Sequence, residues 1–266
     1  RMEKIDIHIV GLGNLGSAFM KGLRDLHEKT DVHLYEESKD VRQLIQENYS
    51  LTPKESVNMI DKGVLILCIK PQNINAFFDI YKDKIAKDVL ICTPIAGLEI
   101  KTIEKYLQNN VLRIMPNLLI QDKTGFIPFT SNYEGDYLNF IHNILENLGT
   151  VKEVDESMFA IVTALSGSGP AWFYELSNQL VNAGTELGLS LKDSELIVQE
   201  LLKALPSLVH EDETFENLVK KVKSPGGTTE AGLNSLNNAS FDTIIFEAIQ
   251  KATQRSTEIS KELNNE

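Results

Sequence analysis

Six residues late in the chain, Ser224-Pro225-Gly226-Gly227-Thr228-Thr229, gather three hydroxyls and two glycines just before a helical pattern through Ala231, Leu233 and Leu236. Adjacent glycines let a backbone reach positive φ and let a ligand approach it closely. Unpaired N–H groups at a helix start attract an anion, and the Ser224, Thr228 and Thr229 hydroxyls add donors. Such a loop can hold a carboxylate and present one hydroxyl to a reacting atom. Taken by itself it also reads as a helix-capping turn.

A second glycine group, Gly11-Leu12-Gly13-Asn14-Leu15-Gly16, stands between an alternating segment, Ile5 to Val10, and a helical pattern through Ala18, Phe19 and Leu23. G-x-G-x-x-G between a strand and a helix is the dinucleotide-binding pattern. Its first glycine permits the tight turn, its second admits a pyrophosphate to the backbone, and its third lets helix and strand pack closely. Asn14 and Leu15 supply further N–H groups at that helix start. Glu36 comes twenty residues after Gly16, at the end of the segment Val32 to Tyr35. An acidic side chain there accepts hydrogen bonds from the adenosine ribose and repels a 2′-phosphate, favouring NAD(H) over NADP(H). Lys39 and Arg42 stand close enough to work against that preference, and Glu37 reads equally as a solvated turn residue.

Three more strand-like segments end in residues suited to ligands. Val64 to Ile69 is a continuous apolar run, as in a parallel strand buried on both faces, and it ends at Ile69-Lys70-Pro71. Val89 to Cys92 leads into Thr93-Pro94-Ile95-Ala96-Gly97, whose small residues suit the approach of a nicotinamide ring. Val111 to Met115 leads into Pro116-Asn117. Ligands of doubly wound sheets bind beyond the carboxyl ends of the strands, so these ends define one crevice. Gly125 to Thr130 and Thr150 to Val154 read as additional edge strands around a helix near 137–148. From about Asp155 the pattern is helical throughout, broken at Ser166-Gly167-Ser168-Gly169-Pro170-Ala171, with helices expected over 194–208, 215–222 and 241–263. The expected organisation is α/β: a Rossmann dinucleotide-binding domain over residues 1–154, then an all-α domain over 155–266. A helical module so rich in apolar residues commonly buries part of its surface in a partner subunit.

The 266 residues carry 42% hydrophobic and 24% charged side chains, ordinary for a globular protein. A net charge of −12 argues against nucleic acid or an anionic membrane as partner. No apolar run is long enough to span a bilayer. The start, Arg1-Met2-Glu3-Lys4, lacks the apolar core of a signal peptide, so a cytoplasmic protein is expected. Cys68 and Cys92 fall in strand-like segments and read as buried, reduced thiols. The five histidines show no ligand spacing, and no metal site is expected.

In order along nearly the whole chain, Gly11–Gly16, Lys70-Pro71, Ala96-Gly97, Arg113-x-Met115-Pro116-Asn117, Gly167-Ser168-Gly169-Pro170-Ala171 and Ser224–Thr229 resemble the motifs of pyrroline-5-carboxylate reductase. The resemblance implies a Rossmann domain, a helical dimerisation domain, dimers that often assemble into larger rings, and reduction of the cyclic imine to L-proline by NAD(P)H. It implies that Ser224, Gly226, Gly227 and Thr228 hold the substrate carboxylate while the Thr229 hydroxyl contacts the ring nitrogen. Thr229, and Lys70 at its strand end, are the catalytic candidates. Gly11, Gly13, Asn14, Leu15, Gly16, Glu36, Ile69, Lys70, Pro71, Ala96, Gly97 and Asn117 are the candidates for holding the cofactor.

Departures from the family pattern accompany the resemblance. Leu118-Leu119 stand where Thr-Pro is usual, Glu230 replaces an apolar residue, and Lys203 replaces a glycine. The family more often takes NADPH, whereas Glu36 favours NADH. Two other readings keep the fold: a reductase of a different small cyclic imino acid, or a dinucleotide-binding paralogue without catalysis.

Overall fold

The structure is a computed structural model describing residues 3–135 and 137–264. The Arg1-Met2 start and the Asn265-Glu266 tail lie outside the described residues. The chain divides into two compact units, one made of residues 1–168 and 251–266, the other of 169–250.

The first unit opens with β1 (Ile5–Val10), α1 (Asn14–Leu23), β2 (Thr30–Tyr35), α2 (Lys39–Tyr49) and β3 (Val64–Leu67). It continues with α3 (Ile74–Tyr81), β4 (Leu90–Thr93), the single-turn α4 (Ile100–Ile103) and β5 (Val111–Ile114). Then come β6 (Phe126–Ser131), α5 (Tyr137–Asn143), β7 (Thr150–Glu153) and α6 (Phe159–Val162). The sheet order is β2-β1-β3-β4-β5-β6-β7. The first five strands are parallel, β6 runs antiparallel to β5, and β7 runs parallel to β6. The expected pair of edge strands is therefore half right: β7 is an edge, but β6 is interior.

Period-two alternation sends successive strand residues to opposite faces, and each face has its own core. Ile7, Ile9 and Ile66 pack with Phe19, Met20 and Leu23 of α1 and with Phe140 of α5. Val10, Leu65 and Leu67 pack with Ile74, Phe77 and Phe78 of α3 and with Ile100 and Ile103 of α4. Burying each phenylalanine completely contributes about 2–3 kcal/mol. Both borders of the sheet are blunted. On the outside of β2 a single parallel bridge joins Tyr35 to Lys54, with the Glu36 and Lys54 N–H groups bonded across it. On β7, Lys152 and Glu153 are exposed.

The second unit holds α7 (Gly169–Glu186), α8 (Leu191–Ala204), α9 (Phe215–Val222) and α10 (Thr228–Asn238). Ser190 and Thr214 cap α8 and α9 by accepting the N–H groups of Asp193 and Asn217. Gly169 and Ser194 are its only buried residues, while Phe173, Phe215 and Phe246 are more than 60% exposed. Helices that bury no large apolar side chain of their own must find that burial against something else. No described helix is long and apolar enough to cross a membrane.

The last helix, α11 (Phe241–Asn264), is shared: residues up to 250 group with the helices, and from 251 onward with the sheet. Residues 155–168 also group with the sheet. The reason is packing: Leu263 is buried in the α3-side core, and Ile259 packs against it. Ser166–Ala171 carries the expected break: Ser166 and Gly167 end a π-helical turn, Ser168 is a bend, and α7 begins at Gly169. Thr163–Gly167 is π-helical, the Ser168 N–H donates to the Thr163 carbonyl at 2.9 Å, and α7 follows at once.

Candidate active site

The connection from β1 leads to β2 on one side, and the chain then returns to β3 on the other, so the sheet's switch point lies between β1 and β3. The glycine loop sits there. Gly11 has φ +91°, and a Cβ on it would stand 2.3 Å from the Cys68 carbonyl oxygen. A Cβ on Gly16 would stand 1.8 Å from the Gly11 carbonyl oxygen. Gly13 differs, with no atom within 4 Å of its Cβ position. First and third glycines are thus required by packing, and the second leaves open space beside the start of α1. Gly13 is the N-cap of that helix and has no side chain to satisfy its first turn. Asn14, Leu15 and Gly16 carry that turn's N–H groups, a donor set that fits a pyrophosphate.

Glu36 closes the loop from the side of β2. Its Oε2 accepts the Leu12 N–H at 2.7 Å and its Oε1 accepts the Ser38 N–H at 2.9 Å. Arg42 donates from Nη1 to the Glu36 and Glu37 carbonyls, both at 2.8 Å. The Glu36 carboxylate is therefore held in place by two backbone donors. Beyond it a surface cavity of about 610 Å³ is lined by Lys39, Arg42, Gln46 and Pro53 among others.

Strand β3 ends at Leu67, two residues before the expected Ile69, because its register with β1 stops at Val10 opposite Leu67. Ile69 lies beside Gly11, and Lys70 is exposed ahead of a short 3-10 turn over Pro71–Asn73. Cys68 is half-buried just past the strand and Cys92 is buried in β4; both are free, and burial pushes both thiols up. Ala96 and Gly97 follow β4. Gly97 has φ +79°, and a Cβ on it would stand 2.7 Å from Ile259 Cγ2. Asn117 follows β5: its Nδ2 donates to the Ser166 carbonyl at 2.9 Å, and its Oδ1 accepts the Leu119 N–H at 2.9 Å. Met115 packs on Gly167. Asn117 and Met115 thus engage the π-helical turn. Leu118-Leu119 begin a 3-10 turn, with Leu118 43% exposed.

The loop of the second unit is built as follows. Gly227 is the N-cap of α10, and its N–H donates to the Ser224 carbonyl at 3.0 Å. Thr228 and Thr229 open the first turn, Thr228 exposed and Thr229 partly buried. Gly226 has φ +69° with open space at its Cβ position. Its N–H donates to Glu230 Oε2 at 2.7 Å, so the residue that departs from the family pattern reaches back onto the loop. Lys203, the other departure in these helices, is exposed and paired with Glu200.

The residues that sequence reasoning missed lie around Arg113. This arginine, 4% exposed within β5, donates from Nη1 to Glu156 Oε1 at 3.0 Å and lies over the Phe159 ring. A cation inside an apolar strand was the available signal, since a buried charge needs a partner.

Two family models match the chain: pyrroline-5-carboxylate reductase dimerisation over residues 156–259, and NADP oxidoreductase, coenzyme F420-dependent, over residues 6–97. Pyrroline-5-carboxylate reductase 2 of Bacillus subtilis strain 168 is 32% identical over 272 aligned residues, covering 98% of this chain and 96% of that protein. Pyrroline-5-carboxylate reductase of Staphylococcus aureus strain COL is 32% identical over 263, covering 94% and 96%. Among solved structures, Plasmodium falciparum pyrroline carboxylate reductase with NADP bound superposes with a TM-score of 0.83 at 25% identity, covering 97% of this chain and 100% of that one. The Streptococcus pyogenes 1-pyrroline-5-carboxylate reductase gives 0.81 at 26%, covering 96% and 99%. The three-glycine switch point, the helical second unit and these full-length matches agree, and the chain belongs to the pyrroline-5-carboxylate reductase family.

Proposed function

We propose that this chain reduces 1-pyrroline-5-carboxylate to L-proline with NAD(P)H, the last step of proline synthesis. The observation that carries this is the 32% identity to a pyrroline-5-carboxylate reductase over 98% of the chain. When bound, the reduced nicotinamide supplies a hydride to the carbon of the C=N bond, while the ring nitrogen ends protonated. A protonated imine is already a good electrophile, so the protein mainly positions two rings and excludes water.

The residue roles belong to this proposal. Gly11, Gly13, Asn14, Leu15 and Gly16 cradle the pyrophosphate, Glu36 takes the ribose hydroxyls, and Ile69, Lys70, Pro71, Ala96, Gly97 and Asn117 line the nicotinamide end. Ser224, Gly226, Gly227 and Thr228 hold the carboxylate. Thr229 hydrogen-bonds the ring nitrogen or relays its proton, and Lys70 adds a cation beside the reacting groups. The immobilised Glu36 carboxylate makes NADH the preferred donor. Residues 1–154 serve nucleotide binding and 155–266 serve dimerisation and substrate binding, a division supported by the dimerisation match beginning at residue 156. The helical segment forms a homodimer, which supplies the burial its exposed phenylalanines lack. A ring of such dimers and a cytoplasmic location complete the proposal.

The test is oxidation of NADH and NADPH in parallel with 1-pyrroline-5-carboxylate as acceptor. Turnover with either establishes the reductase. NADH binding with no turnover of any cyclic imine refutes it in favour of a non-catalytic paralogue. Thr229→Ala is expected to lower kcat by about 10²-fold, the scale of one positioned proton-transfer group. Full turnover by that variant removes Thr229 from its role.

A further inference from the structure

Strand β5 reads Val111-Leu112-Arg113-Ile114, with a guanidinium where its neighbours are aliphatic. Apolar side chains of similar volume often replace buried ion pairs with no loss of stability, so stability alone is a weak reason for a cation here. Burial lowers the Arg113 pKa from its ordinary value, with Glu156 opposing. The pair meets at one point, Nη1 to Oε1 at 3.0 Å, and the guanidinium carbon lies 4.5 Å from the centre of the Phe159 ring.

The same Glu156 Oε1 accepts the Ile100 N–H at 2.9 Å. One oxygen thus ties the end of β5 to the first residue of α4, where the segment Pro94–Glu99 finishes. That segment is also held from the α11 side. Gly97 lies against Ile259 and Ser260 Oγ donates to Glu99 Oε1 at 2.5 Å, while Lys101 of α4 pairs with Glu99 Oε2 at 2.8 Å. Two sets of bonds therefore hold one strand-end loop, with Glu99 of the second also acting on the Arg113 charge, and only the first contains a buried charge.

We propose that Arg113, acting through Glu156, is a positioning residue that sets how far the Ala96-Gly97 backbone stands from the reactive ring of the cofactor. This rests on the assignment of Ala96 and Gly97 under Proposed function. Displacing a reacting ring by about 1 Å costs on the order of 10²-fold in rate. Cutting one tether of two shifts the loop without unfolding it. Cofactor affinity, set mainly by the glycine loop and Glu36, moves little.

The experiment compares full-length Arg113→Met, Glu156→Gln, the double variant and Arg113→Lys with the unaltered protein. Three quantities are measured: kcat with 1-pyrroline-5-carboxylate, the dissociation constant for NADH, and amide exchange in the ligand-free protein. Arg113→Met is expected to lower kcat about 10–30-fold while NADH affinity stays within about threefold. Exchange should rise over residues 94–104 and stay unchanged in β1. The double variant should be no slower than Arg113→Met, because both changes cut one tether, and Arg113→Lys should recover part of the rate. Arg113→Met with kcat within about twofold of the unaltered protein overturns the proposal. So does faster exchange throughout β1 with parallel loss of NADH binding, the mark of a merely structural role. If the unaltered chain reduces no cyclic imine, the functional reading falls, and the exchange of residues 94–104 still decides the tether.

Discussion

Neutralising Glu36 should shift the balance of cofactor use toward NADPH. The carboxylate accepts two backbone N–H groups, at 2.7 and 2.9 Å, so it cannot swing aside for an incoming phosphate without giving up both. A 2′-phosphate carries about −1.5 to −2 charges. Brought within about 5 Å of the carboxylate, at an effective dielectric of about 40–80, it meets about 1–3 kcal/mol of repulsion. Glu36→Gln keeps the side chain's length and one acceptor oxygen while removing that term. Lys39 and Arg42, which line a nearby cavity together with Glu47, then act on the phosphate without the Glu36 charge against them. The NADPH-to-NADH ratio of kcat/KM should rise about 30-fold, the middle of that range. Steady-state kinetics with both cofactors measures it, and added salt should narrow the preference of the unaltered protein. A ratio that moves less than about twofold in a folded Glu36→Gln protein refutes the reasoning, because repulsion on this scale has no other outlet.

Other expectations concern the glycine loop, the loop over 224–229 and the His8 cluster. Gly16→Ala places a methyl 1.8 Å from the Gly11 carbonyl oxygen, so NADH binding by titration should be lost together with several degrees of melting temperature. Glu230→Gln weakens a contact that occupies the Gly226 N–H, so the KM for the imino acid should fall about threefold; a higher KM would mean that Glu230 serves the loop instead. His8 is buried, lies 3.0 Å from the Tyr35 hydroxyl and stacks on His33, which pairs with Asp6. Burial, and then the neighbouring His33, push its pKa down from 6.5 to about 4, with Asp6 opposing and Lys54 adding to the depression. The unfolded chain therefore binds the extra proton between about pH 4 and 6.5, and stability should rise with pH across that window and level off above it. Allowing for solvent screening, the loss at pH 5 is about 1–2 kcal/mol. Urea unfolding of His8→Gln should show a flatter profile there, and an unchanged profile would count against the cluster.

The parts of the site legible in the sequence were those made by backbone. Gly11 and Gly16 stand where only glycine fits, and open space surrounds the Gly13 Cβ position. The strand ends at 67–70, 93–97 and 114–117 were readable from apolar runs, although β3 stops early for lack of register beyond Val10. Strand direction was not readable. Phe126–Ser131 is apolar in either sense, and its antiparallel pairing comes from a turn over 118–122 rather than a crossover helix. Nor does an amphipathic pattern name its partner. The helix α11 runs on through residue 250 without a break in the sequence, yet Ile259 and Leu263 pack on the sheet. Arg113 stands in the sequence inside a motif that carries no sign of what holds its charge. Its partner lies forty-three residues further along the chain, where only the fold brings it near.

The blunted borders of the sheet bear on how copies of the chain can meet. Beside β2, the Lys54 bridge uses main-chain groups that would otherwise greet an incoming strand, and at the far border β7 is four residues long and faces solvent with Lys152 and Glu153. Short, charged or pre-paired edges discourage the open-ended stacking by which sheet proteins precipitate. Adhesion is left to side chains such as Phe173, Phe215 and Phe246, whose fit to a partner has to be specific and whose interface is spent once it is filled. Such a protein can carry a large sticky surface through synthesis at high concentration and still finish as a closed assembly instead of a fibre.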